Sequence, residues 1–333
     1  MHNSTTVLSS VDGSWHGFLD LYEPLRPDLY RYCRYLTRSP WDAEDLSQDA
    51  LARAFATMST LTEPPKSPRA WLFRIASNLW IDRVRRAYDV TNVIAEPTAA
   101  TEPRAVREAA GTLIAQLSPQ ERAAVVLKDA FDLSVAEIAE SLGTTPGAVK
   151  AALHRGRDKL VAPAEAETGN ASRVPDPRVL DAFHDAFNAR DLDRLTALLL
   201  DTSAIEVVGA TTTYGPAAAR EGALRGMLFG SERMADAERR GGMDPRFVHG
   251  VRAVPARVEI RDVHGELVLL SFYAHADGEA VRAITRLETE GGYVSRLRNY
   301  FFTPDLLAEV CRELGVPYRT NGYRYCPPRQ GDA

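Results

Sequence analysis

The chain has 333 residues and is 45% hydrophobic, which is enough apolar material for more than one core because single cores stop growing at about 250 residues. It carries 40 Lys and Arg against 45 Asp and Glu, so bulk charge gives no indication of a nucleic-acid partner and only local clustering can do so. Three scattered cysteines, Cys33, Cys311 and Cys326, argue against a disulfide framework or a zinc site. Because no long apolar run or secretion signal is present, we expect a cytoplasmic protein with no metal, no cofactor and no membrane partner.

The first part of the chain, residues 14–87, has apolar residues at helical spacing and is predicted to be an all-helical domain. In the segment DAEDLSQDALARAFA, the acidic residues Asp42, Asp45 and Asp49 fall on one helix face, opposite an apolar stripe. Taken alone, such a face is most simply a solvated helix surface.

The next helical segment, SPRAWLFRIASNLWIDRVRR, is strongly basic. Aromatic residues alternate with its cations, an arrangement that suits single-stranded nucleic acid because cations follow phosphates while aromatic faces stack on bases. Core packing is an equally good explanation for Trp71, and the roles of Phe73 and Trp80 stay open. Three arginines lie beyond the apolar run, where phosphate contact is the simplest role: Arg83, Arg85 and Arg86.

Residues 88–117 are polar and interrupted by prolines, which predicts a linker that ends in a helix over about 104–117. The segment 118–162 is predicted to contain a helix-turn-helix. Gly143 falls where the first of its two helices must end with positive φ, and Thr144 or Thr145 can cap the second. Such a pair allows the second helix to lie in a major groove.

The outer face of that second helix is basic in an otherwise acidic protein, with four cations against Asp158 alone over residues 146–160. An ordinary solvated basic helix is the alternative, but the capped turn in front of it favours DNA binding. Spacing places Lys150, His154 and Arg157 on one side of this helix, and Ala151 is small enough to allow close approach to the groove.

The segment LSPQERAAVVLKDAFDLSVAEIAESLGTTPGAVKAALHRGRDKL resembles domain four of extracytoplasmic-function (ECF) sigma factors, and the two preceding helical segments resemble domain two. The resemblance implies a partner, core RNA polymerase, bound through its β′ clamp helices and β flap, and a second partner, promoter DNA. The implied polymerase contacts are Asp45, Gln48 and Asp49, and Asp42 is added because it lies on the same acidic face. The implied minus-ten contacts are Trp71, Arg74 and Asn78, and the three arginines beyond the apolar run, Arg83, Arg85 and Arg86, are added to them as phosphate contacts. Domain four implies minus-thirty-five contacts at Lys150, Ala151, His154 and Arg155, and helix spacing adds Arg157. Ala151 and His154 replace residue types that are common in better-known members, which leaves the preferred promoter sequence open.

After a second linker over 163–178, residues 179–327 combine one long amphipathic helix with β-branched segments and a Gly291–Gly292 hairpin turn. This part resembles SnoaL-like domains of the nuclear-transport-factor-2-like superfamily, which are α+β cones. The resemblance implies regulation of the sigma domains in cis through an intramolecular contact, and a possible small-molecule ligand. The candidate acids and bases show no spacing that catalysis demands: Asp181, His184, Asp185, Asp201, His249, His264 and His275.

We therefore predict a multidomain protein with two all-α sigma domains, the second a helix-turn-helix, followed by an α+β SnoaL-like cone. Its predicted function is promoter-specific transcription initiation with core RNA polymerase, and we expect no enzymatic activity. One alternative is a SnoaL-like isomerase or cyclase with a DNA-binding appendage. Another is a helix-turn-helix regulator that acts without polymerase, but it gives no reason for the acidic face or for the basic, aromatic helix.

Overall fold

The structure is a computed structural model that describes residues 17–18, 20–58, 61, 63, 65–94, 117–161, 175–230, 255 and 257–323, with backbone alone for 87–94 and 160–161. The chain forms two compact units, residues 1–170 and 171–333. The helix predicted over 104–117 lies outside the described residues, apart from its last residue. In the described part of the chain, no helix has the length and apolarity that a membrane span requires.

The described part of the first unit is helical, as predicted. A first helical domain is formed by α1 (Arg26–Thr37), α2 (Pro40–Met58) and α3 (Pro68–Ile94), and a second by α4 (Pro119–Asp129), α5 (Val135–Leu142) and α6 (Pro146–Val161). Helix α3 continues past residue 88, where the first linker is predicted to begin. No proline or glycine interrupts residues 69–94, so nothing in the backbone ends the helix earlier.

A buried ion pair joins α1 to α2 inside the first helical domain. Nη2 of Arg26 donates to Oε1 of Glu44 over 3.0 Å, and both side chains are almost completely buried. Nearby, the hydroxyl groups of Tyr32 on α1 and Ser77 on α3 are 2.7 Å apart and equally buried. The three helices are therefore fixed by these two pairs of buried polar groups as well as by apolar contact.

The predicted helix-turn-helix is confirmed, and local capping defines it. Ser134 and Glu137 form a reciprocal capping box at the start of α5, and Gly143 ends that helix in the left-handed region with φ 62°. The hydroxyl of Thr145 accepts a hydrogen bond from the backbone N–H of Ala148, so Thr145 caps α6 with Pro146 as its first residue.

The second unit begins with α7 (Pro177–Asn188) and α8 (Leu192–Ala197), followed by β1 (Leu199–Val207) and β2 (Thr211–Tyr214). Next come α9 (Gly215–Ala219), a π-helical turn (Arg220–Leu224) and α10 (Arg225–Phe229). The chain then forms β3 (Arg257–Val263), β4 (Glu266–His275), β5 (Gly278–Glu290), β6 (Tyr293–Tyr300) and α11 (Pro304–Leu314). The six strands form one sheet in the order β2-β1-β6-β5-β4-β3, in which only the β1–β6 pair is parallel. The α+β class expected for this part is confirmed.

The single long helix predicted at the start of the second unit is wrong. Arg190 has φ 56°, which ends α7, and Asp191 caps α8 by accepting a hydrogen bond from the backbone N–H of Arg194. Both guanidinium ends of Arg190 are bound by distant carbonyls, at 2.9 Å from Leu228 and 3.0 Å from Pro255. These long-range hydrogen bonds offset the cost of a left-handed arginine.

The core of the second unit lies between α7 to α10 and the sheet. Leu180 and Phe183 of α7 belong to one buried cluster with Ile205, Leu269 and Leu297 of three different strands. The predicted turn between β5 and β6 is confirmed, because Gly291 and Gly292 both have positive φ, at 58° and 84°.

Candidate nucleic-acid interface

The acidic face of α2 is present but partly occupied by contacts within the chain. Asp42 and Asp49 are exposed, whereas Asp45 is half-buried. Nε2 of Gln48 donates to Oε1 of Glu44 over 2.7 Å. Asp49 accepts a hydrogen bond from Arg83 of α3, so a predicted polymerase contact and a predicted DNA contact neutralise each other here.

The basic helix α3 presents a polar face and buries an aromatic one. Its exposed residues include Arg74, Asn78, Arg85 and Arg86, and Arg83 is about one third exposed. Trp71 is half-buried, with its ring 5.8 Å from that of Tyr22. The roles of Phe73 and Trp80 were left open by the sequence. Both side chains are buried and cannot stack on bases in this arrangement.

An aromatic and cationic cluster joins the two helical domains. Phe131, in the turn after α4, packs edge-on against Phe73 at 5.2 Å and Tyr32 at 5.9 Å between ring centroids. The guanidinium groups of Arg31 and Arg69 lie 4.7 Å and 5.4 Å from its ring centre. The sequence reasoning missed Phe131, whose only signal is an apolar side chain between two helices.

A second contact between the helical domains lies nearby. Nη1 of Arg122 on α4 donates to the carbonyl of Leu36 over 2.8 Å, and its guanidinium carbon lies 5.0 Å above the ring of Trp80. The two contacts together are called the interdomain contact below.

The candidate DNA-binding faces of the two domains also meet. A Cβ placed on Gly143, in the turn of the helix-turn-helix, would be 3.1 Å from Nη2 of Arg74 on α3. The guanidinium group of Arg74 thus lies against the backbone of the turn that precedes α6.

On α6, the side chains divide as a DNA-reading helix requires. Val149 and Leu153 are buried as predicted. Lys150, Ala151 and His154 are exposed, and His154 lies about one helical turn after the other two. The side chain of Leu160 lies outside the described residues.

Three of the four cations on α6 are engaged in ion pairs. Arg155 and Lys159 donate to the same carboxylate of Glu121, over 3.1 Å and 2.7 Å, and Arg157 donates to Asp129 over 2.6 Å. Lys150 has no ion pair within the part of the chain that the structure describes. Arg155 and Arg157 remain more than half exposed, so both can still meet a phosphate.

Comparison with known proteins identifies the family. The model described as Sigma-70 region 2 matches residues 21–89, and the model described as Sigma-70, region 4 matches residues 107–160. The ECF RNA polymerase sigma factor SigL of Mycobacterium tuberculosis is 34% identical over 144 residues, which cover 40% of this chain and 81% of SigL. This chain belongs to the ECF family of RNA polymerase sigma factors.

Other relatives cover more of this sigma factor. The ECF RNA polymerase sigma factor SigG of M. tuberculosis is 31% identical over 228 residues, which are 58% of this chain but only 61% of SigG, less than two thirds of its length. The crystal structure of M. tuberculosis SigJ aligns with 87% of this chain and 98% of its own at 22% identity, with a TM-score of 0.31. An NTF-2 like protein of unknown function from Burkholderia xenovorans aligns with 38% of this chain and 80% of its own at 19% identity, with a TM-score of 0.25.

The described acids and bases that were candidates for catalysis in the C-terminal unit of the sigma factor are spread over one helix, two strands and the turn before β4. His184 contacts Asp185 and Asn188 on its own helix, while His264 pairs with Glu313 at 3.1 Å. His264 precedes β4 and His275 ends it, so the length of the strand separates them. Asp181 and Asp201 are exposed, and His249 lies outside the described residues. The described residues include no cluster of three or more His, Cys, Asp or Glu that could hold a metal ion.

Glu121 organises the second helical domain of the sigma factor. It completes the capping box with Ser118 at the start of α4 and receives both Arg155 and Lys159 from α6. Burial raises the pKa of this carboxyl, but hydrogen bonds from Lys159, from the Ser118 backbone and from Arg155 outweigh burial and lower the pKa to about 2.

We expect Glu121→Gln to lower the free energy of unfolding by about 1 to 2 kcal/mol at neutral pH, because it weakens a cap and two half-exposed ion pairs. The folded pKa lies below the ordinary value of 4.5, so the stabilisation is complete above that pH and is lost as the pH falls toward 2. Urea unfolding followed by circular dichroism at pH 7 and pH 3 measures both effects.

Glu137→Gln is the matched control for that experiment, since Glu137 makes the same capping box on α5 but is exposed and has no cation from α6. Glu137→Gln should lower the free energy of unfolding by less than Glu121→Gln does. Equal losses for the two variants would contradict the role given to the ion pairs from α6.

Proposed function

We propose that this sigma factor binds core RNA polymerase and directs it to specific promoters, and that it acts by binding alone. The observation that supports this most directly is the pair of exposed polar and basic faces on α3 and α6, carried by separate helical domains. In this proposal α2 binds the β′ clamp helices of the polymerase through Asp42, Asp45, Gln48 and Asp49, and the second helical domain binds the β flap.

The two basic faces take different parts of the promoter. The proposed minus-ten contacts on α3 are Trp71, Arg74, Asn78, Arg83, Arg85 and Arg86. The proposed minus-thirty-five contacts on α6 are Lys150, Ala151, His154, Arg155 and Arg157. Asn78 and Arg74 are exposed on one helix face, where a base extruded from the duplex can reach them.

Promoter binding requires the helical domains to separate. Elements centred about 25 base pairs apart are roughly 85 Å apart along B-DNA at about 3.4 Å per pair. In the structure, Arg74 of the minus-ten face lies against Gly143 of the helix-turn-helix. The arrangement with the interdomain contact, called the closed arrangement below, therefore cannot hold both elements at once.

We further propose that the C-terminal α+β domain governs this opening in cis. It is joined to the second helical domain by a segment rich in small and polar residues that ends before α7, and a short tether raises the effective concentration of its partner to about the millimolar range. A contact too weak to form between separate proteins can thus control the helical domains.

Reconstitution of the sigma factor with core RNA polymerase tests both proposals. The full chain should produce defined start sites on a genomic promoter library, and a chain truncated after Ala162 should produce an altered amount or choice of transcripts. Transcription that is unspecific with the full chain would contradict the proposed function. Identical output and identical start sites from the two chains would contradict regulation in cis alone.

A further inference from the structure

An exposed His–Asp pair lies on the groove-facing stripe of α6. Nδ1 of His154 is 2.6 Å from Oδ2 of Asp158, one helical turn further on, and the two side chains are 79% and 64% exposed. Lys150 is exposed one turn before His154, so Lys150, His154 and Asp158 follow one another along one face of the helix.

The acid in this stripe is unexpected on electrostatic grounds. Asp158 is the one acidic residue of α6, and a carboxylate next to DNA phosphates weakens binding. The neighbouring cations do not neutralise it in the structure. Arg155 and Lys159 are turned to Glu121, and Arg157 is turned to Asp129. Among the described residues, the ion-pair partner of Asp158 is His154.

We infer that Asp158 is a positioning residue that orients His154 for reading one base pair of the upstream promoter element. With the carboxylate as acceptor, Nδ1 carries the hydrogen of that bond and the ring is held in one rotamer. Nε2, on the opposite side of the ring, is then left to make one hydrogen bond to a base edge in the major groove. This inference rests on the proposed function of α6.

The surroundings of the pair suit such a contact. Ala151 is the small exposed residue on the turn before His154 and lets the helix approach the bases closely. Lys150 supplies a point charge to a phosphate or a guanine, while His154 supplies a single directional group. In this assignment the charge of Asp158 lowers the overall affinity for DNA. Its hydrogen bond with His154 raises discrimination between bases at one position of the promoter.

The test uses the full chain with core RNA polymerase and a promoter library in which the upstream element is randomised. The variants are Asp158→Ala, Asp158→Asn and His154→Ala, with Glu140→Ala as a control that removes an exposed acid of α5 instead. Transcripts from each promoter are counted by sequencing. Thermal unfolding of each variant verifies that the fold is kept, as expected for exposed positions.

We expect the wild type to prefer one base over the others by about three- to tenfold at one position, the range of a single hydrogen bond. His154→Ala and Asp158→Ala should both lose this preference at the same position and keep those at the other positions. Asp158→Asn should keep most of it, because the amide oxygen can still accept the hydrogen of Nδ1. Glu140→Ala should leave every preference unchanged.

A purely electrostatic role of Asp158 predicts a different pattern. In that case both Asp158 variants strengthen binding to all promoters by one factor and leave base preferences intact, and this result would overturn the inference. Loss of the preference in Asp158→Asn to the same extent as in Asp158→Ala would overturn it too. Absence of promoter-specific starts with the wild type would instead overturn the proposed function, and the inference with it.

Discussion

Glu44→Ala is expected to lower the free energy of unfolding of the first unit by about 3 to 5 kcal/mol, because it breaks a buried ion pair. The change leaves the guanidinium group of Arg26 buried without the carboxylate that lies 3.0 Å from it. It also removes the acceptor of the Gln48 amide. Denaturant unfolding followed by far-ultraviolet circular dichroism measures the loss.

Two further variants identify the cause of that loss. The double variant Arg26→Met with Glu44→Leu removes both charges together and should recover most of the stability, because an apolar pair needs no compensation. Asp129→Ala removes one partner of the half-exposed Arg157 pair and should cost less than about 1 kcal/mol. A similar cost for Glu44→Ala and Asp129→Ala would contradict the argument from burial.

Phe131→Ala is expected to open the closed arrangement and to raise the affinity of the free sigma factor for promoter DNA that carries both elements by at least about tenfold. The substitution removes the ring that packs on Phe73 and Tyr32 between Arg31 and Arg69. Phe→Ala substitutions in cores cost about 3 to 5 kcal/mol, and a shift of about 1.4 kcal/mol already changes a population tenfold. Fluorescence anisotropy with a labelled oligonucleotide measures the affinity.

Because Phe131→Ala can also loosen the second helical domain itself, Arg122→Met provides an independent test. It removes the hydrogen bond to Leu36 and the cation above Trp80 at the other part of the interdomain contact. Small-angle X-ray scattering should show a larger radius of gyration for both variants, and both should bind the oligonucleotide more tightly. Unchanged affinity in both would contradict the closed arrangement as a barrier to DNA binding.

Most cations on the basic face of α6 form ion pairs with α4. Sequence alone counts four positive charges, but Glu121 and Asp129 hold three of them in ion pairs that bridge α6 to α4. These cations therefore stabilise the second helical domain, in addition to the phosphate contacts proposed for them. Substituting Arg155 would alter folding and DNA affinity together, so Lys150 and His154 are the better positions for measuring DNA contact by itself.

The features that the sequence determined are those with local causes. The capping box of Ser134 and Glu137, the left-handed Gly143 and the Gly291–Gly292 turn each depend on residues within three or four positions of one another. Their conformations follow from hydrogen bonding and steric limits of neighbouring residues, so patterns of single residues predict them. The helical and α+β parts followed in the same way from the period of apolar residues.

Tertiary structure alone decided the features that join distant residues. The carbonyls of Leu228 and Pro255 hold the guanidinium group of Arg190, and no local pattern contains that information. The same holds for Phe131 between two helical domains and for the pairing of Arg83 with Asp49. The chemical type of a side chain restricts its possible partners, but the partner it meets depends on how distant helices and strands pack, and that is fixed only when the whole chain folds.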